Sequence, residues 1–201
     1  MGSLSFPEDI HALQADIDRL IEKLPKIKHG KWIGQALSTI AQIAEGEVDR
    51  LDWKILTSAL QDMEQGFEAF YPYRHVRKLT IFGSARTPEE SSEYETARLF
   101  AQKMTAQGFM VMTGAGGGIM QAGNEGAGRE QSFGLNIQLP FEQESNPFIK
   151  NDPKLIGFKY FFTRKLFFLK ESDAIALFPG GFGTQDEAFE SLTLCQTGKY
   201  G

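Results

Sequence analysis

The sequence predicts an α/β fold, a doubly wound parallel sheet preceded by a helical extension, and three observations predict it. From residue 79 onward, short apolar runs alternate with glycine turns and helical stretches, the pattern of repeated βα units. Three of those turns directly follow an apolar run, as strand-to-helix turns do. Before residue 71 the apolar residues recur instead at three- and four-residue steps, which is helical spacing. The expected organisation is a helical extension over 1–75 and a nucleotide-binding α/β domain over 76–201.

In the extension, Ile10, Leu13, Ile17, Leu20, Ile21 and Leu24 mark one face of an amphipathic helix that Pro25 ends. A second helix is expected over 33–43 and a third over 51–70, the latter carrying Leu56, Leu60, Met63 and Phe67. Such helices serve either association or the covering of a core. Beyond Tyr73 the first strand is expected at 79–82, with Gly83-Ser84-Ala85-Arg86 as its turn and a helix over 89–107. The second strand, 109–112, leads into the turn 114–118 and a helix over 119–129. A third strand over 133–139 precedes an irregular stretch with Pro140, Asn146, Pro147, Asn151 and Pro153. An aromatic-rich helix over 160–171, a fourth strand over 173–178 and a last helix over 183–197 complete the pattern.

Composition bounds the partners. The chain has 201 residues, 41% of them hydrophobic and 23% charged, and its net charge of −5 offers no general attraction to nucleic acid or an anionic membrane. No apolar run is long enough to span a bilayer, and the N-terminus lacks the pattern of a signal peptide. The one cysteine, Cys195, excludes an internal disulfide and suits a reducing cytoplasm. Its apolar neighbourhood, 192–195, predicts a packed thiol rather than a nucleophile.

Chemistry concentrates in the glycine turns. Residues 179–187 read Pro-Gly-Gly-Phe-Gly-Thr-Gln-Asp-Glu after the apolar run 174–178. Backbone N–H groups approach a ligand closely there, and a helix start presents about half a positive charge to an anion. In a parallel sheet all such turns share the carboxyl-end rim, so Gly83-Ser84, Gly114 with Gly116-Gly117-Gly118, and Gly180, Gly181, Gly183 and Thr184 are expected to enclose a phosphate or nucleotide. The other reading makes them connectors only. No Gly-x-x-x-x-Gly-Lys-Ser/Thr loop and no Gly-x-Gly-x-x-Gly run occurs, which disfavours a phosphate-loop triphosphatase and a dinucleotide dehydrogenase. There is no Gly-x-Ser-x-Gly elbow, and His11, His29 and His75 all precede the sheet region. Nothing in the spacing of His, Asp or Glu predicts a metal, and no cofactor is expected.

Arg164 and Lys165 interrupt a mostly apolar helix. A guanidinium fork binds phosphate or orients a carboxylate, so Arg164 is expected to face the glycine rim, whereas Lys165 fits packing or a salt bridge as well as the site. Glu187 follows one turn after Gly183, on the helix that the phosphate turn begins. A carboxylate beside an anion site predicts work at a neighbouring ribose, against the plainer reading of a residue favoured by the helix dipole.

Thr163-Arg164-Lys165 with Pro-Gly-Gly-Phe-Gly-Thr-Gln-Asp-Glu, preceded by Gly83-Ser84 and the segment from Gly114 to Met120, resembles the Lonely Guy family of nucleoside 5′-monophosphate phosphoribohydrolases, often labelled lysine decarboxylase-like. The resemblance covers 78–201. It implies a Rossmann-like fold, a cytoplasmic homodimer or higher homo-oligomer, and hydrolysis of the N-glycosidic bond of a nucleoside monophosphate to free base and ribose 5-phosphate. By the same resemblance the catalytic arginine falls on Arg164, the catalytic glutamate on Glu187 and the phosphate turn on Gly180 to Thr184. The stretch 134–143 and the helical extension resemble the longer bacterial members more than the compact cytokinin-activating ones, so AMP-like nucleotides and cytokinin riboside monophosphates both fit. The family's sheet continues past the segment matched by 199–201, so the domain is expected to be cut short at its C-terminal end. The alternative function is a non-catalytic nucleotide or cofactor carrier of the same fold.

Overall fold

Five short runs rich in apolar residues fix the architecture, those of the first two strands buried throughout. The computed structural model describes residues 6–139 and 144–198, with side chains from residue 12 onward. Strands β1 (Lys78–Phe82), β2 (Met110–Thr113), β3 (Ser132–Ile137), β4 (Leu155–Phe158) and β5 (Ala174–Leu177) form one parallel sheet in the order β4-β3-β2-β1-β5. This is the Rossmann-like α/β arrangement expected. Helices α4 (Ser92–Ala106) and α5 (Ile119–Ala127) cover one face, where Leu79, Ile81 and Val111 meet Tyr94, Ala97, Ala101, Ile119 and Ala122. On the other face Phe82, Met110, Met112, Phe133 and Leu135 pack against Phe70 and against Phe167 and Phe168 of α6 (Phe161–Glu171). Burial on both faces is why β1, β2 and β3 read as mostly apolar runs rather than alternating ones, whereas β5 is only partly covered.

One strand is absent from the sequence reading. The stretch expected to be irregular ends in β4, whose residues pair with β3 from Gly134↔Leu155 to Ile137↔Phe158. Its apolar run is broken by Gly157, unlike the equally short runs of β2 and β5, and so does not stand out. Helix α4 begins later than expected because the Ser91 hydroxyl accepts from the Tyr94 N–H and caps it.

The chain divides into two compact units, Met1–Leu56 and Thr57–Gly201. In the first unit α1 (Phe6–Ile21) and α2 (Gly30–Glu45) pack on one another around a short turn in which Leu24 is buried. Helix α3 (Arg50–Phe70) runs across the division, and its last two thirds, from Thr57, belong to the α/β unit. Among the described residues no helix is long and apolar enough to cross a membrane. Pro140, with the rest of 140–143, lies outside the described residues, as does the chain end at 199–201.

Helix α7 (Phe182–Gln196) corrects one expectation: Cys195 is exposed rather than packed, and Leu192 is 59% exposed. Among the described residues of α7 only Ser191 is buried, so local apolarity did not secure burial there.

Candidate active site

Strand order reverses between β1 and β5, and the crevice at the carboxyl ends of such a pair is where ligands bind in open α/β sheets. Backbone bonds lace the three turns together at that point. The Phe178 N–H donates to Phe82 O at 2.9 Å, the Ser84 N–H to Pro179 O at 3.0 Å, and the Ile119 N–H to Ser84 O at 3.0 Å. The β2 turn is held from beneath by a buried polar network. Asn146 donates through Nδ2 to Gly116 O at 3.0 Å and to Asn124 Oδ1 at 2.9 Å, and the Thr113 hydroxyl reaches the same Oδ1 at 2.7 Å. This network maintains Ala115 at a φ of 63°, a left-handed conformation that costs an L residue energy.

The turns wall a cavity of about 450 Å³. Of the residues singled out in the sequence, Gly83, Ser84, Gly114, Met120, Arg164, Gly181, Gly183, Thr184 and Glu187 line it. Gly116, Gly117 and Gly118 are not among the lining residues. Gly118, at φ 59°, lies so close to the β1 turn that a Cβ there would meet Ser84 O at 2.3 Å. Gly180 is not among them either and lies against Thr184, where a Cβ would lie 2.2 Å from Oγ1.

Lys165 is outside the lining as well. Its ammonium group is held by Asp186 at 2.7 Å and Glu190 at 2.6 Å, and these hydrogen bonds outweigh its desolvation and raise its pKa. It ties α6 to α7. Exposed ion pairs of this kind contribute about 0–1 kcal/mol. We expect Lys165→Ala to cost at most about 1 kcal/mol in urea unfolding.

Sequence reasoning missed Arg86, Asn136, Phe161 and Phe182 among the lining residues. Each had a faint signal. Arg86 belongs to the β1 turn, Asn136 breaks the apolar run of β3, and Phe182 is a large apolar residue inside a glycine turn. In the structure Phe182 is 92% exposed at the cavity, as a side chain without a packing role would be.

At the centre the guanidinium of Arg164 lies 3.5 Å from Glu187 Oε1. Aromatic faces bracket it, the Phe161 ring at 5.2 Å and the Phe168 ring at 5.7 Å. Its Nε is buried without a hydrogen-bond partner among the described residues, so a strong cation is left with donors to spare. Burial lowers the pKa of Arg164, and the Glu187 charge opposes that. Burial likewise raises Glu187 to about 7, with Arg164 pulling it down. No side chain caps the start of α7 at Gly181, so the first-turn N–H groups face the cavity region unclaimed by a capping residue. The arrangement suits an anion at the helix start and a carboxylate that changes charge near neutral pH. Among the described residues no cluster of His, Cys, Asp and Glu could hold a metal.

Known proteins offer two similarities. The crystal structure of TM1055, a structural-genomics target, shares 23% identity with a TM-score of 0.43, covering 59% of this chain and 69% of that one. No curated protein matches the chain. Residues 104–200 match the family described as "possible lysine decarboxylase", so the chain is similar to that family over the stretch that contains Gly114, Arg164, the glycine turn after β5 and Glu187.

Proposed function

We propose that this protein hydrolyses the N-glycosidic bond of a nucleoside 5′-monophosphate, the reaction of the Lonely Guy family that its motifs resemble. The observation that carries the proposal is the mostly buried Glu187 carboxyl beside Arg164, in the same cavity as the uncapped start of α7. The 5′-phosphate sits at the N-terminus of α7, where the turn 181–184 and the helix dipole favour a dianion. That anchoring fixes the ribose with its C1′ toward Glu187.

As the C1′–N bond breaks, its electrons leave with the base and the ribosyl ring becomes oxocarbenium-like. Glu187 takes a proton from water, the water oxygen bonds to C1′, and the base is protonated from solvent. Arg164 orients the carboxylate and keeps a fraction of it ionised near neutral pH despite burial. General-base help of this kind is worth about 100- to 10,000-fold.

Incubation of the pure protein with a panel of purine, pyrimidine and cytokinin riboside monophosphates, resolved by chromatography, tests the proposal. Free base together with ribose 5-phosphate is the expected result. Saturable binding without any product would instead make the protein a nucleotide carrier.

The pH dependence follows from the raised Glu187. A general base must be ionised, and with its pKa near 7 the protonated, inactive form prevails below that pH. We expect kcat/KM to rise about tenfold per pH unit up to roughly pH 7 and then level off. A profile already flat from pH 5 would remove Glu187 from the role of base.

A further inference from the structure

Asp62 of α3 is a buried carboxylate with no place in the mechanism above, only 4% exposed, and among the described residues its hydrogen-bond partners lie at the start of α6. It accepts from the Lys159 N–H at 3.0 Å, from the Tyr160 N–H at 3.1 Å and from the Thr163 hydroxyl at 2.5 Å. Tyr160 is the N-cap of α6 and provides no side-chain cap of its own. Asp62 therefore serves as the cap from another helix, satisfying orphan donors and opposing the positive helix end.

The rest of α3 points the same way. Ser58, Asp62, Gly66 and Phe70 are buried at four-residue spacing, one stripe of the helix. Ser58 accepts from Lys159 Nζ at 2.8 Å, and Gly66 lies so close to Phe167 that a Cβ would meet the ring at 2.3 Å. The Phe70 and Phe167 rings stack at 6.0 Å. Arg164 is the residue after Thr163, in the first turns of the helix that this stripe grips.

We propose that Asp62 is a positioning residue for Arg164: by capping α6 it sets where the guanidinium meets Glu187. The proposal rests on the hydrolase reading for its kinetic consequence, and on geometry alone for its structural one. The helical segment before the sheet thereby has a part in the site, beyond association or covering.

The test compares Asp62→Ala and Asp62→Asn with Ser58→Ala, which removes a neighbouring bond on the same helix without touching the first turn of α6. Two readouts are taken on the full chain. One is kcat and KM against pH; the other is the side-chain carboxyl titration of Glu187 followed by NMR. The charges acting on Glu187 are Arg164 and Lys165 of α6 and its neighbour Asp186, and Arg86 also lines the cavity. Of these, Arg164 is nearest the cap. When the cap is lost and Arg164 shifts away, the carboxyl keeps its desolvation and loses its cation. We expect the Glu187 titration and the acid limb of kcat/KM to move to higher pH, with kcat falling about 10- to 100-fold in Asp62→Ala. Asp62→Asn keeps the volume and one acceptor, so the same shift is expected to be smaller; Ser58→Ala should show neither.

A folded Asp62→Ala or Asp62→Asn protein with wild-type limb and titration overturns the proposal. Equal shifts in Ser58→Ala also overturn it, since they would mean general loosening of α3. If Asp62→Ala does not fold, Asp62→Asn decides. A wild-type protein that releases no base sinks the hydrolase reading but leaves the NMR comparison able to judge Asp62.

Discussion

Glu187→Gln is expected to bind nucleotide and fold as the wild type does while losing at least about 100-fold in kcat, the lower end of what a positioned general base contributes. The substitution preserves volume and hydrogen-bonding reach, so it isolates the charge and the proton-accepting oxygen. Its surroundings tolerate the change. Glu187 is in the second turn of α7, contacts Arg164 only at 3.5 Å, and burial pushes its carboxyl up to about 7. A neutral side chain is thus already close to the state that folding prefers there. The measurement is single-turnover base release beside calorimetric binding of ribose 5-phosphate. A rate within tenfold of wild type would eliminate the carboxylate from the chemistry, whereas loss of binding would move Glu187 from bond cleavage to ligand capture. The wild-type acid limb near pH 7 should vanish from whatever residual activity remains, because the group that titrates there has gone.

Features carried by neighbouring residues were legible in the sequence, and features made by distant ones were not. The glycine turns announce themselves because a strand, a turn and a helix start are contiguous. Arg164 and Glu187 stood out because each is a charge in an unexpected setting, and the fold brings them together across 23 residues. In sequence Lys165 fits a salt bridge as well as the site; adjacent helical residues point about 100° apart, and that difference sends Arg164 into the cavity and Lys165 to Asp186 and Glu190. Asp62 had no signal at all. Its partners lie 97 to 101 residues away, and a lone aspartate on an amphipathic helix reads as solvated. Strand β4 failed because Gly157 splits its short apolar run, whereas β2 and β5, equally short, have no glycine. Cys195 failed in the opposite sense, because an apolar neighbourhood in sequence does not guarantee that anything covers it.

The rim itself should be fragile at Gly118, where we expect alanine to cost about 3 kcal/mol or more. Two effects combine. At φ 59° and ψ −130° the backbone is in a region that only glycine occupies readily, which costs other residues about 1–3 kcal/mol. The added Cβ would also lie 2.3 Å from Ser84 O and 2.7 Å from the Ala85 carbonyl carbon, backbone atoms that cannot swing aside as a flexible side chain does. Relief requires moving the β1 turn, and that turn is bonded to the start of α5 through Ser84 O and to the turn after β5 through Ser84 N. Gly128 separates the two effects. It has φ 75° and ψ 159°, equally unsuited to alanine, but open space where a Cβ would go, so Gly128→Ala should cost only the conformational part, about 1–3 kcal/mol. Urea unfolding should be followed by far-ultraviolet circular dichroism, because Trp32 and Trp53 both lie in the first unit and their fluorescence would report on the wrong part of the chain. If the two variants unfold at the same midpoint, the contact with the β1 turn has no energetic weight and the three turns are not one mechanical unit. If Gly118→Ala unfolds well before Gly128→Ala and base release falls with it under conditions where the protein stays folded, the glycines outside the lining shape the cavity without touching its contents.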